Sequence, residues 1–332
     1  MSDTQRYHVL DRPPFSLQSY LLRWDSILVM LLAAVIIINT WISPYFLDVY
    51  NLSDATFNFS EKAIIALAMA LLIISREIDL SVAANIAVCS VGMGLLSSMG
   101  FGTFTLVIAG LAIGTMCGAV NGALVTYFRL PSIVVTIGTM SLFRGLAQVV
   151  LGDQALTKYP SGLTSLGQGY IWPGIPIPNS FALFLIIACV FGFVLHRTVI
   201  GRQIFAIGHN PMAARFSGIK VEKIRFWLFV LTGLMAGLAA VLLTGRIGST
   251  RPNIALGWEL EIVTMVILGG ISITGGTGTI LGLVLSVLIL GLTIFGLSLV
   301  NIPGIEIAIL IGLLLIVSIA IPIMTAKWFG RT

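Results

Sequence analysis

Apolar residues run along this chain in long blocks, and polar residues gather in the intervals between them. The blocks fall at about 26–42, 63–75, 82–99, 104–128, 133–151, 180–196, 226–244, 261–271, 281–300 and 305–325. A helix that crosses a hydrocarbon core roughly 30 Å thick needs about 20 residues, and most blocks reach or approach that length. The pattern predicts an all-α polytopic membrane protein of about ten transmembrane helices. Two blocks are abnormal in matching ways. The block at 63–75 is short and is broken by SREIDLS, and the block at 261–271 runs into ILGGISITGGTGTILG. Each continues directly into a long apolar block, at corresponding places in the two halves. Paired interruptions of this kind point to an internal repeat and to a transport path. Backbone freed from a helix at membrane depth is tolerated only where it faces protein or a water-filled cavity.

Charge sets the expected sidedness. The segment Arg197–Arg225 reads RTVIGRQIFAIGHNPMAARFSGIKVEKIR and sets six basic residues against the single acid Glu222. Lys and Arg near span ends resist translocation, so this loop belongs on the cytoplasmic side. Six blocks precede it and four follow. That count places Arg6, Arg12 and Arg23, and likewise Lys327 and Arg331, on the same side as the loop, so both termini are expected in the cytoplasm. The plan is a cytoplasmic tail at 1–25, a transmembrane domain at 26–325 with its cytoplasmic loop at 197–225, and a cytoplasmic tail at 326–332. WISPYFLDVYNLSDATFNFSEK and the Gly- and Pro-rich stretch from Gly152 to Asn179 read as external loops. The polar start, with Pro13 and Pro14 and no small-residue cleavage site, does not read as a signal peptide, so the first block is expected to stay as an anchor.

Composition narrows the function classes. Of 332 residues, 58% are hydrophobic and 9% are charged, against about 25% charged in a soluble domain; the mean hydropathy is +1.06. The net charge of +5 sits at block ends, which argues for a lipid bilayer and against nucleic acid as a partner. Cys89, Cys117 and Cys189 lie in separate apolar blocks and read as small core hydrophobes. No CxxC, HExxH or Ser/His/Asp grouping accompanies them or His8, His196 and His209, so neither a metal site nor a catalytic residue is assigned. Thr274–Gly282, TGGTGTILG, lacks the lysine of a phosphate-binding loop and follows no strand. Its glycines, and Gly269 and Gly270 just before it, suit close helix packing or hinges, which makes Gly269, Gly270, Gly275 and Gly276 gate candidates.

Within the basic loop, Asn210–Phe216 reads as a short helix. Asn210 can cap free amides and Pro211 fits the first turn. Met212, Ala213 and Phe216 then share an apolar side, with Arg215 off it. Gly208 and Gly218 permit tight turns on either flank. GRQIFAIGHNPMAARFSGI, through Gly201, Arg202, Ala206, Gly208, Asn210, Ala213, Ala214, Gly218 and Ile219, resembles the cytoplasmic loop of permease subunits of ATP-binding-cassette importers for monosaccharides. These are the ribose, xylose, arabinose and rhamnose type, related more distantly to branched-chain amino acid permeases. Further matches are IDLSV at 78–82, VTIGTMSLFRG at 135–145 and the region from Glu259 through ILGGISITGGTGTILG, so the resemblance covers nearly all of the chain beyond the first block.

The resemblance implies a bacterial inner-membrane, multi-pass subunit that moves a sugar by alternating access: rhamnose, a pentose or an autoinducer-like furanose. It implies no cofactor in this chain, with ATP and Mg held by cytoplasmic ATP-binding subunits. It also implies a second permease chain, identical or paralogous, and a periplasmic or extracellular sugar-binding protein. Gly208, Asn210, Pro211, Ala213, Ala214, Arg215 and Gly218 would form the coupling helix that docks in a groove of the ATPase.

Arg76, Glu77, Asp79 and Ser81 are pathway or gate candidates. Charges within a span are costly and tend to pair, so Arg76 is expected against Glu77 or Asp79 unless the group lies at the cytoplasmic end of its span. The family usually has two glycines where this chain has Arg76 and Glu77. Glu259 and Glu261 read as a solvated external rim. The competing functional reading is an ion-coupled secondary carrier with Arg76, Glu77 and Asp79 as its relay; a non-transporting scaffold is a further alternative.

Overall fold

The computed structural model describes residues 24–172 and 174–328, so most of the tail at 1–25 and the end of the tail at 326–332 lie outside the described residues. The helices are α1 (Trp24–Ile42), α2 (Val49–Ile74), α3 (Val82–Ser98), α4 (Thr103–Thr126), α5 (Ser132–Leu151), α6 (Ser161–Gln168) and α7 (Asn179–Arg197). They continue as α8 (Val199–His209), α9 (Pro211–Phe216), α10 (Val221–Ile247), α11 (Trp258–Leu268), α12 (Ile280–Leu299) and α13 (Gly304–Trp328). Between α6 and α7 an antiparallel hairpin pairs β1 (Tyr170–Trp172) with β2 (Ile175–Pro178). Seven helices, α1, α2, α4, α5, α7, α10 and α12, are long and apolar enough to cross a membrane; α3 and most of α13 are shorter apolar helices. Every apolar block falls on a helix, and the loop residues α8 and α9 mark one end of the bundle, called here the loop end.

The expectation of an external loop before residue 63 is wrong. Asp48 accepts hydrogen bonds from the amides of Tyr50 (3.0 Å) and Asn51 (3.1 Å), caps α2 and starts it fourteen residues before the apolar block begins. Ser53, Ser60 and Glu61 of that first half are buried against protein while Asp54 and Asn58 stay exposed, and together these polar residues lower the hydropathy of the stretch so that it reads as loop. Glu61, 0% exposed, accepts from Arg246 of α10 at 2.7 Å, and Lys62 pairs with Glu261 of α11 at 2.5 Å while lying over the Trp258 ring. The second span is thus a 26-residue helix at the centre of the bundle. Glu261 is correspondingly an interior ion-pair partner, not part of a solvated rim. The second abnormal block does stay short, since α11 has only 11 residues.

Glycine sets the most extensive helix contact. An added Cβ at Gly114 would lie 2.5 Å from the Gly233 carbonyl oxygen, and one at Gly118 would lie 2.4 Å from that of Phe229. Gly233 and Gly237 of α10 face Gly110, Gly114 and Gly118 of α4 in return, so the two backbones touch along several turns. In lipid, where apolar burial drives little association between helices, such van der Waals approach is the main attraction. The long stretch from 152 to 179 is not a plain loop: it contains α6 and the hairpin. Cys89 and Cys117 are buried as expected, whereas Cys189 is exposed on α7, a face the apolar sequence alone could not distinguish.

Candidate functional site

Both breaks in the helical pattern occur where the sequence places them, and they meet. The turn at 75–81 follows α2, and the turn at 269–279 follows α11. The backbone amide of Gly276 donates to the carbonyl oxygen of Ile74 at 2.9 Å. Gly270, Gly275 and Gly276 take φ of 83°, 80° and 81°, left-handed values that glycine adopts without steric cost. Gly269 instead serves packing: a Cβ there would sit 2.8 Å from Cα of Leu283 in α12.

The basic loop closes over this junction. Gly208, near the end of α8, is wedged between the two turns, for an added Cβ would lie 2.0 Å from the Ile74 oxygen and 2.3 Å from the Gly276 nitrogen. It is therefore a close-approach glycine inside a helix and not the turn expected from sequence, whereas Gly218, with φ of 83°, is a turn. The His209 ring lies against Gly276. The His196 Nε2, at the end of α7, accepts from the Ile280 amide that opens α12, at 3.4 Å.

The four charged and polar candidates at 76–81 divide into two groups. Arg76 pairs with neither Glu77 nor Asp79. Its Nε donates to the Gly208 carbonyl at 2.6 Å and its other guanidinium nitrogen to that of His209 at 2.8 Å. Glu77 pairs with Arg225 of α10 at 2.8 Å, and Arg225 also donates to the Ser75 carbonyl at 3.0 Å. Asp79 lies deeper, 1% exposed, and accepts from the amide (2.9 Å) and hydroxyl (2.6 Å) of Ser81. Asn121 of α4 donates to the Ser81 hydroxyl at 2.8 Å and faces Asp79 at 3.4 Å. The expected pairing failed because carbonyls at the end of α8 and a cation on α10, remote in sequence, sit closer than the neighbours along the chain. A relay running through Arg76, Glu77 and Asp79 is not assembled.

The helix α9 forms as expected. Asn210 Oδ1 accepts from the amides of Met212 (3.0 Å) and Ala213 (3.1 Å), and Pro211 occupies the first turn. Met212 (58% exposed) and Phe216 (86%) turn outward with Ala213 and Arg215, and the last pairs with Glu222. Ala214 does not join that surface. It is buried on Ile207 and Val221, and so seats α9 on the protein instead of facing a partner.

At the far end, the segment 248–257 folds inward. Thr250, 0% exposed, bonds through its hydroxyl with Ser90 (2.5 Å) and Tyr159 (2.5 Å), and Ser90 also meets Thr244 (2.7 Å). Burial raises the Tyr159 phenol above its ordinary pKa, against the lowering effect of the Thr250 bond. Beside it opens a cavity of about 520 Å³ lined by Gln148, Asp153, Gln154, Arg251 and Asn253. Sequence reasoning named none of these five, because single polar residues at the end of α5 and in two separate loops carry no local pattern. Among the described residues no cluster of three or more His, Cys, Asp or Glu could hold a metal ion.

The model of the family "Branched-chain amino acid transport system / permease component" matches residues 51–319. The Autoinducer 2 import system permease protein LsrD of Photorhabdus temperata is 33% identical over 302 residues, which span 89% of this chain and 90% of that protein. The proteins of the same name from Klebsiella pneumoniae subsp. pneumoniae and Escherichia coli K12 are each 34% identical, over 302 and 300 residues, with the same coverage. No solved structure matches.

Proposed function

Since the chain belongs to the branched-chain amino acid transport system / permease component family, we propose that the junction of its two helix breaks with the α8–α9 loop is the point where ATPase motion enters the membrane. The chain is a multi-pass permease subunit of an ATP-binding-cassette sugar importer of the inner membrane. It is not itself an enzyme; hydrolysis belongs to a separate subunit, and a substrate-binding protein completes the system. ATP and Mg belong to that ATPase, and α8, α9 and both termini to the cytoplasmic side. A second permease chain, identical or paralogous, completes the pathway.

The observation that carries this reading is the position of Gly208, in contact with the Ile74 oxygen and the Gly276 nitrogen at once. A loop seated against both interruptions can move both. The outward apolar side of α9, with Met212 and Phe216, suits a groove in a soluble partner. The far-end cavity, with donors and acceptors of both charges and neutral amides, suits a polyhydroxylated solute arriving from a binding protein. Among sugars, the names of the relatives favour autoinducer 2 as the substrate.

The test is uptake and ATP hydrolysis in proteoliposomes holding this chain, its ATPase and its binding protein. Autoinducer 2 should accumulate only with ATP, and the binding protein should stimulate hydrolysis. Phe216→Glu should abolish that stimulation in a chain that still folds and inserts. Uptake by the permease alone, collapsed by a protonophore and indifferent to ATP, would support the ion-coupled reading instead.

A further inference from the structure

Arg76 holds a backbone conformation that its side chain opposes. Its φ is 69°, in the left-handed region where glycine is at ease and other residues are strained. The residue also crowds the opposite turn, since an added Cβ at Gly275 would lie 2.4 Å from Arg76 Cγ. What the side chain supplies in return is a two-pronged contact with the end of α8. The last carbonyls of a helix have no partner within it, and a cation there is favoured by the helix dipole as well. Arg76 donates to two of them at once, those of Gly208 and His209, at 2.6 and 2.8 Å. A planar guanidinium can hold two acceptors in fixed relation, which a single ammonium cannot do as rigidly.

The neighbours of Arg76 are tied in the same direction. The Ser75 carbonyl accepts from Arg225, and Glu77 pairs with Arg225, which stands on the helix that leaves the loop. The Ile74 carbonyl accepts from Gly276 of the second turn. Three consecutive side chains or carbonyls of the first turn therefore bind either the loop or its exit helix, and the residue before them binds the second turn.

We propose that Arg76 is a positioning residue whose forked contact with the Gly208 and His209 carbonyls locks the α8–α9 loop to the first helix break and, through the Ile74–Gly276 bond, to the second. A displacement of the loop then reaches both broken helices together, and neither can yield alone. The proposal rests on the coupling role of the loop given above.

Arg76→Gly separates this role from a merely structural one, because glycine relieves the strained backbone while deleting the fork. In the assembled transporter, with autoinducer 2 as probe, the variant should melt no lower than the parent and retain the ATPase's unstimulated hydrolysis. Its uptake per ATP hydrolysed should fall, by roughly two- to thirty-fold on the scale of single coupling residues. Arg76→Lys, which keeps the cation and loses the fork, should fall between the two. Parental uptake per ATP in Arg76→Gly overturns the proposal; should that variant not assemble, parental uptake per ATP in Arg76→Lys overturns it equally. Phe216→Glu tells the two levels apart. If it leaves stimulated hydrolysis and uptake untouched, the coupling role of the loop fails. If it abolishes them while Arg76→Gly does not change uptake per ATP, only the fork fails.

Discussion

The carbonyl oxygen of Ile74 accepts the amide of Gly276 at 2.9 Å, so the points at which two helices of one bundle break are hydrogen-bonded to each other across 202 residues of sequence (276 minus 74). Gly208 is pressed against both atoms of that bond. Gly208→Ala therefore has no room for its methyl without separating the loop from one turn or the turns from each other. Overpacking of this kind costs about 1–3 kcal/mol. Gly208→Ala should melt measurably lower in detergent and lose stimulated hydrolysis, whereas Gly138→Ala on α5, where nothing lies within 4 Å, should melt like the parent.

Glu77 and Arg225 form the most enclosed ion pair of the junction, with side chains 10% and 19% exposed. Removing one partner of a buried pair strands the other, at a cost of roughly 3–5 kcal/mol, while removing both together often costs far less. Glu77→Gln and Arg225→Met should each lower the melting temperature, and the double variant should recover part of the loss. A double variant no more stable than the sum of the singles would show that the two side chains are not coupled.

The apolar blocks made the main helices legible, because each crossing needs its own run, although seven of the described helices, and not about ten, are long and apolar enough to span. The capped helix α9 was equally legible, since Asn210, Pro211 and their amide partners are adjacent in sequence. Most of what escaped reading had one cause. Glu61, Lys62, Arg76 and Glu77 find partners on α8, α10 and α11, and a polar residue satisfied by a distant one looks like loop or surface when only its neighbours are seen. The first half of α2 was hidden in that way. The α4–α10 contact did leave a signal, glycine at four-residue spacing in Gly110, Gly114, Gly118 and Gly122, whereas the denser glycines at 275–278 build a turn.

Asn210 satisfies two amides of a helix only six residues long, which has little else of its own to hold it. Loss of such a cap costs about 1 kcal/mol, small beside the whole fold but large for one isolated turn. Asn210→Ala should leave global melting nearly unchanged while amide exchange at Met212 and Ala213 accelerates several-fold. Stimulated ATP hydrolysis should drop in the same variant, and Asn210→Asp, which keeps an acceptor at that position, should restore both.

The α4–α10 contact should be the least tolerant surface of the bundle. A Cβ at Gly118 meets the Phe229 oxygen at 2.4 Å and the Gly233 Cα at 2.9 Å, atoms of a helix backbone that cannot rotate away as a side chain could. Gly122 has more slack, since its nearest neighbours, including a Phe226 ring carbon, stand at 3.1 Å. Adding one methyl at each position should then give a graded result, with Gly118→Ala well below Gly122→Ala in thermal stability, by about 1–3 kcal/mol where backbone must move. Gly118→Leu should prevent stable insertion, read as loss of folded protein on size-exclusion chromatography after extraction. Equal melting of Gly118→Ala and Gly122→Ala would mean that the helices are not in backbone contact in the membrane, and the packing of α10 at the centre of the bundle would have to be redrawn.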